Sequence, residues 1–146
     1  MSGTDRQAPL QVLNFHSINI NGITSSVRVR MFHHFVRRSE TDIMFIQEVT
    51  SMEVLQIPGY IAHCNLGTEM RGTAILAREG ITLDDIVRAP SGRAIAALYQ
   101  GILLLNVYAP SGTSRKAERE EFYNLVIPPL LRNDVPHILC GGTSTV

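Results

Sequence analysis

Short runs of apolar, mostly branched residues recur along the chain, and each is followed by turn-forming or polar residues. A run of this kind is typical of a β-strand that is buried on both faces, whereas a core helix needs a longer periodic segment. The runs occupy residues 42–46, 73–76, 95–99, 102–108 and 137–140. Gln100 and Gly101 separate two of these runs and predict a tight turn between neighbouring strands. The chain must therefore build most of its core around β-sheet.

A further strand and an amphipathic segment precede these runs. Residues 10–20 alternate loosely between apolar and polar side chains and end at Asn21 and Gly22, as a strand does before a turn. Ser25 or Ser26 then caps a predicted helix that extends to Arg38. We expect one face of this helix to carry its arginines and the other to carry its apolar residues. The apolar residues at helical spacing are Val27, Met31, Phe35 and Val36.

A second helix is predicted before the last strand, with Ser114 as its N-cap. The residues expected to face inward are Ala117, Phe122, Leu125, Val126 and Leu130. Pro128 and Pro129 should kink or end its last turns. Strands interrupted by two helices favour a mixed sheet with helices packed on it, and so the α/β (α+β) class.

Length and composition predict one folded unit over residues 10–146, preceded by a polar leader over residues 1–9. A chain of 146 residues with 45% hydrophobic and 18% charged residues is neither disordered nor collagen-like. No apolar run approaches the roughly 20 residues that cross a bilayer, and the leader is too polar for a secretory signal, so we expect an intracellular protein. Cys64 and Cys140 lack the spacing of a disulfide framework or a zinc site, and we interpret both as small buried hydrophobes.

Charge and motifs exclude several functions. The formal net charge of +0 gives no general attraction to nucleic acid, so any phosphate binding must be local. The five histidines lack metal-ligand spacing, and we expect them to be structural or exposed. The glycine-rich loops of nucleotide kinases and dehydrogenases and the nucleophile elbow of esterases are absent from the sequence.

Polar groups follow several predicted strands at the point where each strand ends. Asn19, Asn21, Glu48, Tyr108 and the Gly141–Gly142 pair occupy these positions. Because strand ends form the crevice in which ligands bind to α/β sheets, these groups can converge on one site. A carboxylate, an amide oxygen and a phenol would suit Mg²⁺ and a phosphate. Each residue also has an ordinary structural interpretation, as a solvated loop carboxylate, a turn asparagine or a half-buried aromatic.

Read in order, six segments of the chain resemble the endonuclease/exonuclease/phosphatase superfamily. They are residues 17–22, 42–48, 72–77, 92–97, 106–112 and 118–123. The last of these, Glu-Arg-Glu-Glu-Phe-Tyr, together with Ala-Pro-Ser after Tyr108, is similar to endonuclease domains of non-LTR retrotransposons. The resemblance implies a DNase I-like four-layer α/β/β/α sandwich with mixed sheets. It also implies that Asn19 and Glu48 bind Mg²⁺, that Tyr108 contacts the scissile phosphate, and that DNA is the partner.

The sequence departs from this family where the attacking water is positioned. The family's Gly-Asp-Phe-Asn motif should follow the 137–140 strand, but residues 142–145 read Gly-Thr-Ser-Thr. Ser111 stands where many members have Asn, and the segment with the family's terminal Asp-His pair is not in this sequence. We therefore expect an incomplete sandwich and an inactive retrotransposon nuclease that is prone to self-association through its exposed sheet.

Two alternatives remain open at this stage. The chain can be a cellular phosphodiesterase or phosphatase of the same superfamily, or a non-catalytic fragment that binds protein or nucleic acid. A nuclear location is expected only if the chain acts as a retrotransposon nuclease.

Overall fold

A computed structural model describes residues 12–67, 71–110, 113–132 and 134–143. Its strands are β1 (Phe15–Asn19), β2 (Ile43–Val49), β3 (Tyr60–Asn65), β4 (Gly72–Arg78), β5 (Asp84–Arg88), β6 (Ala94–Tyr99), β7 (Ile102–Ala109) and β8 (His137–Thr143). The α-helices are α1 (Ser26–Ser39) and α2 (Lys116–Glu121). The leader over residues 1–9 lies outside the described residues, as do residues 10 and 11 of the first predicted strand.

Two four-stranded sheets form the centre of the molecule. The first sheet has the strand order β1-β2-β4-β3 and the second has the order β5-β6-β7-β8. Each sheet is mixed, because β1 pairs with β2 in parallel and β7 pairs with β8 in parallel, whereas the other neighbours are antiparallel. The five strands predicted from apolar runs all lie within these sheets.

Three apolar clusters separate four layers. Phe32 and Val36 of α1 pack on the outer face of the first sheet. Phe45, Ile75 and Leu104 lie in a second cluster between the two sheets. A third cluster covers the outer face of the second sheet and includes Phe122 and Leu130, which follow α2. The layers are therefore helix, sheet, sheet and helix, which confirms the predicted α/β/β/α sandwich.

The first helix forms as predicted but presents a different face to the core. Ser25 is its N-cap, and its Oγ accepts a hydrogen bond of 3.3 Å from the backbone N–H of Arg28. Val36 is buried as expected, but the other predicted core positions, Val27, Met31 and Phe35, are exposed. The helix carries a second apolar stripe through Val29, Phe32 and Val36, and the sheet packs against that stripe.

The second helical segment is shorter and less regular than predicted. Its N-cap is Arg115 rather than Ser114, and no side chain caps it. After α2 the backbone widens into a π-helical turn over Phe122–Val126 and then tightens into a 3₁₀ turn over Pro128–Leu130. Because a π turn advances each residue by a smaller angle than an α turn, it shifts the inward face. Phe122 and Leu130 are buried, whereas the predicted inward residues Ala117 and Leu125 are exposed.

Two strands, β3 and β5, were not predicted from the sequence. Both lie at a sheet edge, where one side of the strand remains exposed and the apolar pattern is correspondingly weak. Cys64 on β3 is buried, and its burial raises the pKa of the thiol to about 11. Cys140 on β8 is only partly buried. In the described part of the chain, no helix has the length and apolarity needed to cross a bilayer.

Candidate functional site

Each sheet contains one pair of parallel strands, β1 with β2 and β7 with β8, and the carboxyl ends of both pairs lie at the same edge of the sandwich. Thr73 pairs with Gln47 at the end of β2, and its hydroxyl donates to the carbonyl of Gly92 in the second sheet at 3.0 Å. Gly92 precedes β6, whose first residue, Ala94, pairs with Val107 near the end of β7. Because β1 is parallel to β2 and β8 to β7, all four carboxyl ends lie together.

A buried amide bridge joins the sheets next to this end. Asn106 of β7 is fully buried, and its Oδ1 accepts a hydrogen bond of 2.8 Å from Nε2 of Gln47 on β2. Its Nδ2 donates to the carbonyls of Ile46 at 3.0 Å and Ala74 at 2.7 Å. Buried polar groups are favourable only when their hydrogen bonds are made, so this bridge fixes β2 against β7.

Glu48 follows the bridge and sits in a β-bulge. Gln47 pairs with Thr73 and Val49 pairs with Gly72, so Glu48 has no partner on β4. Its φ of 60° is in the left-handed region, which a glutamate rarely adopts. The residue is only 5% exposed. The bulge therefore turns a carboxylate out of the strand pattern and holds it at the sheet end.

The turn after β1 is attached directly to Glu48. Nδ2 of Asn19 donates a hydrogen bond to Oε2 of Glu48. The Oδ1 of Asn19 accepts a hydrogen bond of 2.7 Å from the backbone N–H of Asn21. The N–H of Gly22 donates to the backbone carbonyl of Glu48 at 3.0 Å. The structure therefore brings Asn19 and Glu48 together.

Arg71 belongs to this cluster and was not identified from the sequence. Its Nη1 forms an ion pair with Oε1 of Glu48 and donates a hydrogen bond of 3.3 Å to Oδ1 of Asn21. The guanidinium lies against Gly22, where an added Cβ would come within 2.7 Å of the Cζ of Arg71. The one sequence signal was a basic residue directly before β4, and that position alone does not indicate a contact with Glu48.

Tyr108 lies at the same end of the sandwich, on the second sheet. It is two residues after Asn106 and so faces the first sheet from the same side of β7. The residue is buried, and the guanidinium carbon of Arg93 lies 5.3 Å from the centre of its ring. Arg93 also donates from Nη1 to the carbonyl of Tyr108 at 3.1 Å. The three predicted site residues thus share one end of the molecule, with Tyr108 held by Arg93.

The Gly141–Gly142 turn predicted after the last strand is part of β8. Gly141 pairs with Val107 and has a φ of 148°, and an added Cβ would lie 2.0 Å from the carbonyl oxygen of Val107. Glycine is required there because no side chain fits. Gly142 pairs with Tyr108, so β8 continues to the candidate site.

The donor atoms at this site fit a hard divalent cation better than a soft one. Glu48 offers carboxylate oxygens, and Asn19 offers an amide oxygen if its bond to Asn21 is exchanged for a metal. Mg²⁺ is commonly bound through one or two carboxylates together with water and phosphate oxygens. No cluster of three or more His, Cys, Asp or Glu residues exists in the described residues. The nearly buried carboxylate of Glu48 needs a positive partner, and in this structure the guanidinium of Arg71 is that partner.

Comparison with known proteins identifies relatives by structure and not by sequence. No protein-family model matches the chain, and no curated protein matches it either. An AP endonuclease from Archaeoglobus fulgidus superposes with a TM-score of 0.68 at 17% sequence identity, over 89% of this chain and 56% of the endonuclease. A 3′ phosphatase from Neisseria, solved with a product DNA hairpin, superposes with a TM-score of 0.68 at 22% identity, over 89% of this chain and 57% of the phosphatase.

A mannosyl-6-phosphatase from Bacteroides thetaiotaomicron also matches, with a TM-score of 0.65 and 17% identity, over 89% of this chain and 64% of that structure. The chain therefore spans less than two thirds of the length of each of these structures. These nucleases and phosphatases share the DNase I-like arrangement of two packed mixed sheets. The chain accordingly has a DNase I-like fold, as the sequence resemblance implied.

Proposed function

We propose that this chain carries the cation-binding part of a Mg²⁺-dependent phosphodiester hydrolase site, of the type found in endonuclease domains of retrotransposons. Glu48 binds the cation through its carboxylate, and Asn19 supports it through its amide oxygen. Tyr108 donates a hydrogen bond from its hydroxyl to the scissile phosphate. Mg²⁺ bound there supplies Lewis-acid stabilisation of the negative charge on the phosphate oxygens.

The observation that carries this proposal is the position of Glu48. A bulge with a strained backbone holds a nearly buried carboxylate at the shared end of four strands, beside Asn19. Strain of this kind concentrates at functional sites, because elsewhere a relaxed residue would serve equally well.

We propose further that the chain binds Mg²⁺ without hydrolysing phosphodiesters. After Gly142 the sequence continues with Thr143, Ser144 and Thr145, where the resembled family carries the Asp and Asn that position water. His137 is at the beginning of β8, which is the end of the strand away from Tyr108. A group that positions water and a group that binds metal act together, so loss of the first is not offset by the second.

The test compares Mg²⁺ binding with plasmid nicking in the same protein. We expect Mg²⁺ at ten times its dissociation constant to stabilise the folded chain by about 1.4 kcal/mol, and we expect no nicking. Glu48→Gln should lose the stabilisation. Asp42→Asn, which alters a carboxylate that pairs with Arg78, should retain it. Mg²⁺ stabilisation equal in wild type and Glu48→Gln would disprove the metal site, and nicking that depends on Glu48 would disprove the inactivity.

DNA is the partner we propose, through a local phosphate contact at Tyr108 and the strand ends. The structural relative from Neisseria contains a DNA hairpin. The structural likeness to a mannosyl-6-phosphatase favours a second candidate, a site for phosphate monoesters. Protection of the folded chain against urea unfolding separates the two candidates. A short DNA duplex that protects it only in the presence of Mg²⁺ supports the nuclease-type site. Protection by a sugar phosphate and not by the duplex supports the monoester site.

A further inference from the structure

Arg71 and a divalent cation would need the same oxygen atom of Glu48. Nη1 of Arg71 is in direct contact with Oε1 of Glu48, while Oε2 accepts a hydrogen bond from Asn19. When a carboxylate oxygen accepts a hydrogen bond from a guanidinium, its negative charge is balanced and a metal ion cannot approach it from that side. The two positive groups therefore compete for one position.

The space that Arg71 occupies is built into the turn after β1. Gly22 has a φ of 62° and lacks the Cβ that would lie 2.7 Å from the guanidinium carbon. Asn21 orients the same group through its Oδ1. The guanidinium thus has a defined resting place over the turn, formed by residues from a different part of the chain.

The two partners of this ion pair differ in how exposed they are, and so in the cost of breaking the pair. The side chain of Arg71 is 42% exposed and that of Glu48 is 7% exposed. A released arginine can move into water, but a buried carboxylate without a cation is strongly unfavourable. Glu48 is therefore expected to hold one cation at all times, and the arginine is the partner that can be exchanged.

We propose that Arg71 is a resident counter-cation that occupies Glu48 until a divalent cation displaces it, and that the freed guanidinium then binds phosphate oxygens. This inference rests on the proposed function, because it takes Glu48 as the cation ligand. The planar fork of arginine matches phosphate geometry, and Arg71 contacts Glu48, the proposed ligand of the cation. Binding of the cation would then switch on binding of the phosphate.

The first test measures Mn²⁺ affinity from the electron paramagnetic resonance signal of the free ion. Arg71→Gln removes the competing charge and should bind Mn²⁺ about tenfold more tightly, which corresponds to about 1.4 kcal/mol. Arg71→Lys keeps the charge and should stay near the wild-type value. Glu48→Gln should not bind.

Arg78→Gln is the matched control. Arg78 pairs with Asp42 at 3.0 Å, its side chain is 43% exposed, and it belongs to the same sheet as Glu48. This variant removes an equivalent ion pair at the other end of the sheet. Its Mn²⁺ affinity should equal that of wild type, which separates charge competition from a general effect on folding.

The second test follows Arg71 itself in the wild-type chain by ¹⁵N NMR of arginine Nε groups. The resonance absent from Arg71→Gln identifies the residue, and Mg²⁺ should move it towards the position of exposed arginines. In Glu48→Gln, Mg²⁺ should leave it unchanged. The titrated chain keeps its native Arg71, so a change in stability caused by substitution at that residue does not affect the result.

The outcomes separate this inference from the proposed function. If Arg71→Gln binds Mn²⁺ as wild type does, or more weakly, while Glu48→Gln does not bind, then the counter-cation proposal fails and the metal site stands. If the wild-type chain binds Mg²⁺ but the Arg71 resonance does not shift, the counter-cation proposal likewise fails and the metal site stands. If neither wild type nor Arg71→Gln binds Mn²⁺, both proposals fail together.

Discussion

Asn106 crosses the space between the two sheets, and its substitution tests how strongly that bridge holds the site. In Asn106→Leu, Nε2 of Gln47 loses an acceptor, and the carbonyls of Ile46 and Ala74 lose their donor. Buried groups left without partners cost about 1–3 kcal/mol each, partly relieved by relaxation, so we expect the free energy of unfolding to fall by about 2–4 kcal/mol. Urea unfolding measures the change.

Ser17→Ala is the control for this substitution. Ser17 accepts a longer hydrogen bond of 3.2 Å from the same Nε2 of Gln47 and lies at the edge strand β1. Its loss should cost less than about 1 kcal/mol. Equal effects of the two substitutions would mean that the bridge has no special part in joining the sheets.

His63 makes the stability of the chain depend on pH. Burial lowers the pKa of His63 below its ordinary value, and the positive charge of Arg88 lowers it further. The unfolded chain therefore takes up a proton first as pH falls through about 6.5, and the folded chain takes it up only at lower pH. The free energy of unfolding should decrease from pH 7 to pH 5, and His63→Gln should make that decrease smaller. A wild-type slope that His63→Gln leaves intact would contradict the assignment.

Among individual residues, the sequence predicted those whose chemistry depends on their position at a strand end. It missed one whose role depends on a contact with a distant segment. Asn19 is the last residue of its strand, Glu48 and Tyr108 are each the last but one, and these strand ends converge. Arg71 is separated from Glu48 by 23 positions and reaches it only because β4 runs antiparallel to β2. Nothing in the local pattern around Arg71 records that pairing. The bulge at Glu48 also escaped prediction, since it arises from the register between two strands.

Helix α1 carries two apolar stripes, and substitution of one residue from each tests which stripe forms the core. Phe32→Ala removes a side chain that is 6% exposed and should cost about 3–5 kcal/mol of unfolding free energy. Met31→Ala removes a neighbour that is 66% exposed and should stay within about 0.5 kcal/mol of wild type. Thermal or urea unfolding of both variants provides the measurement, and a reversed order would contradict the observed helix orientation.

The elements differ in how much of their structure local sequence determines. The cap and the length of α1 depend on nearby residues and were predicted, whereas its orientation depends on the sheet that it covers. The π turn after α2 is likewise a response to packing, since Phe122 and Leu130 both reach the outer face of the second sheet through it. Edge strands β3 and β5 need a neighbouring strand more than an apolar pattern, and the sequence did not reveal them.

For the whole molecule, the order of the motifs predicted the sandwich, but the sequence did not give the pairing of its strands. The strand order β1-β2-β4-β3 places consecutive strands β2 and β3 apart, with β4 between them. The contacts that select this order join distant segments, as where Ile43 of β2 pairs with Ala77 of β4. Such contacts become visible only when both segments are placed, so the resemblance implied the four layers and the mixed sheets, and the strand order was not predicted.

Edge strands β1 and β8 lead to a prediction about association of the whole molecule. Within the described residues, each has one neighbour in its sheet, and the two strands are in contact across the sandwich. Their outer backbone groups and the exposed side chain of Leu139 offer a surface for strand pairing. We propose that the isolated chain self-associates through this side, and expect sedimentation velocity to give a mean mass that rises with concentration.

Leu139→Lys should weaken that association, because it replaces an apolar side chain by a charge on the edge strand. An increase in the dissociation constant of about tenfold or more is expected, equivalent to about 1.4 kcal/mol. Leu125→Lys is the matched control, since Leu125 is 66% exposed and Leu139 is 63% exposed, but Leu125 lies in the π turn. If wild type is monomeric at every concentration and melts in one sharp transition, the edges are not used. If the two lysine variants weaken association equally, the contact is a general apolar one and not a strand edge.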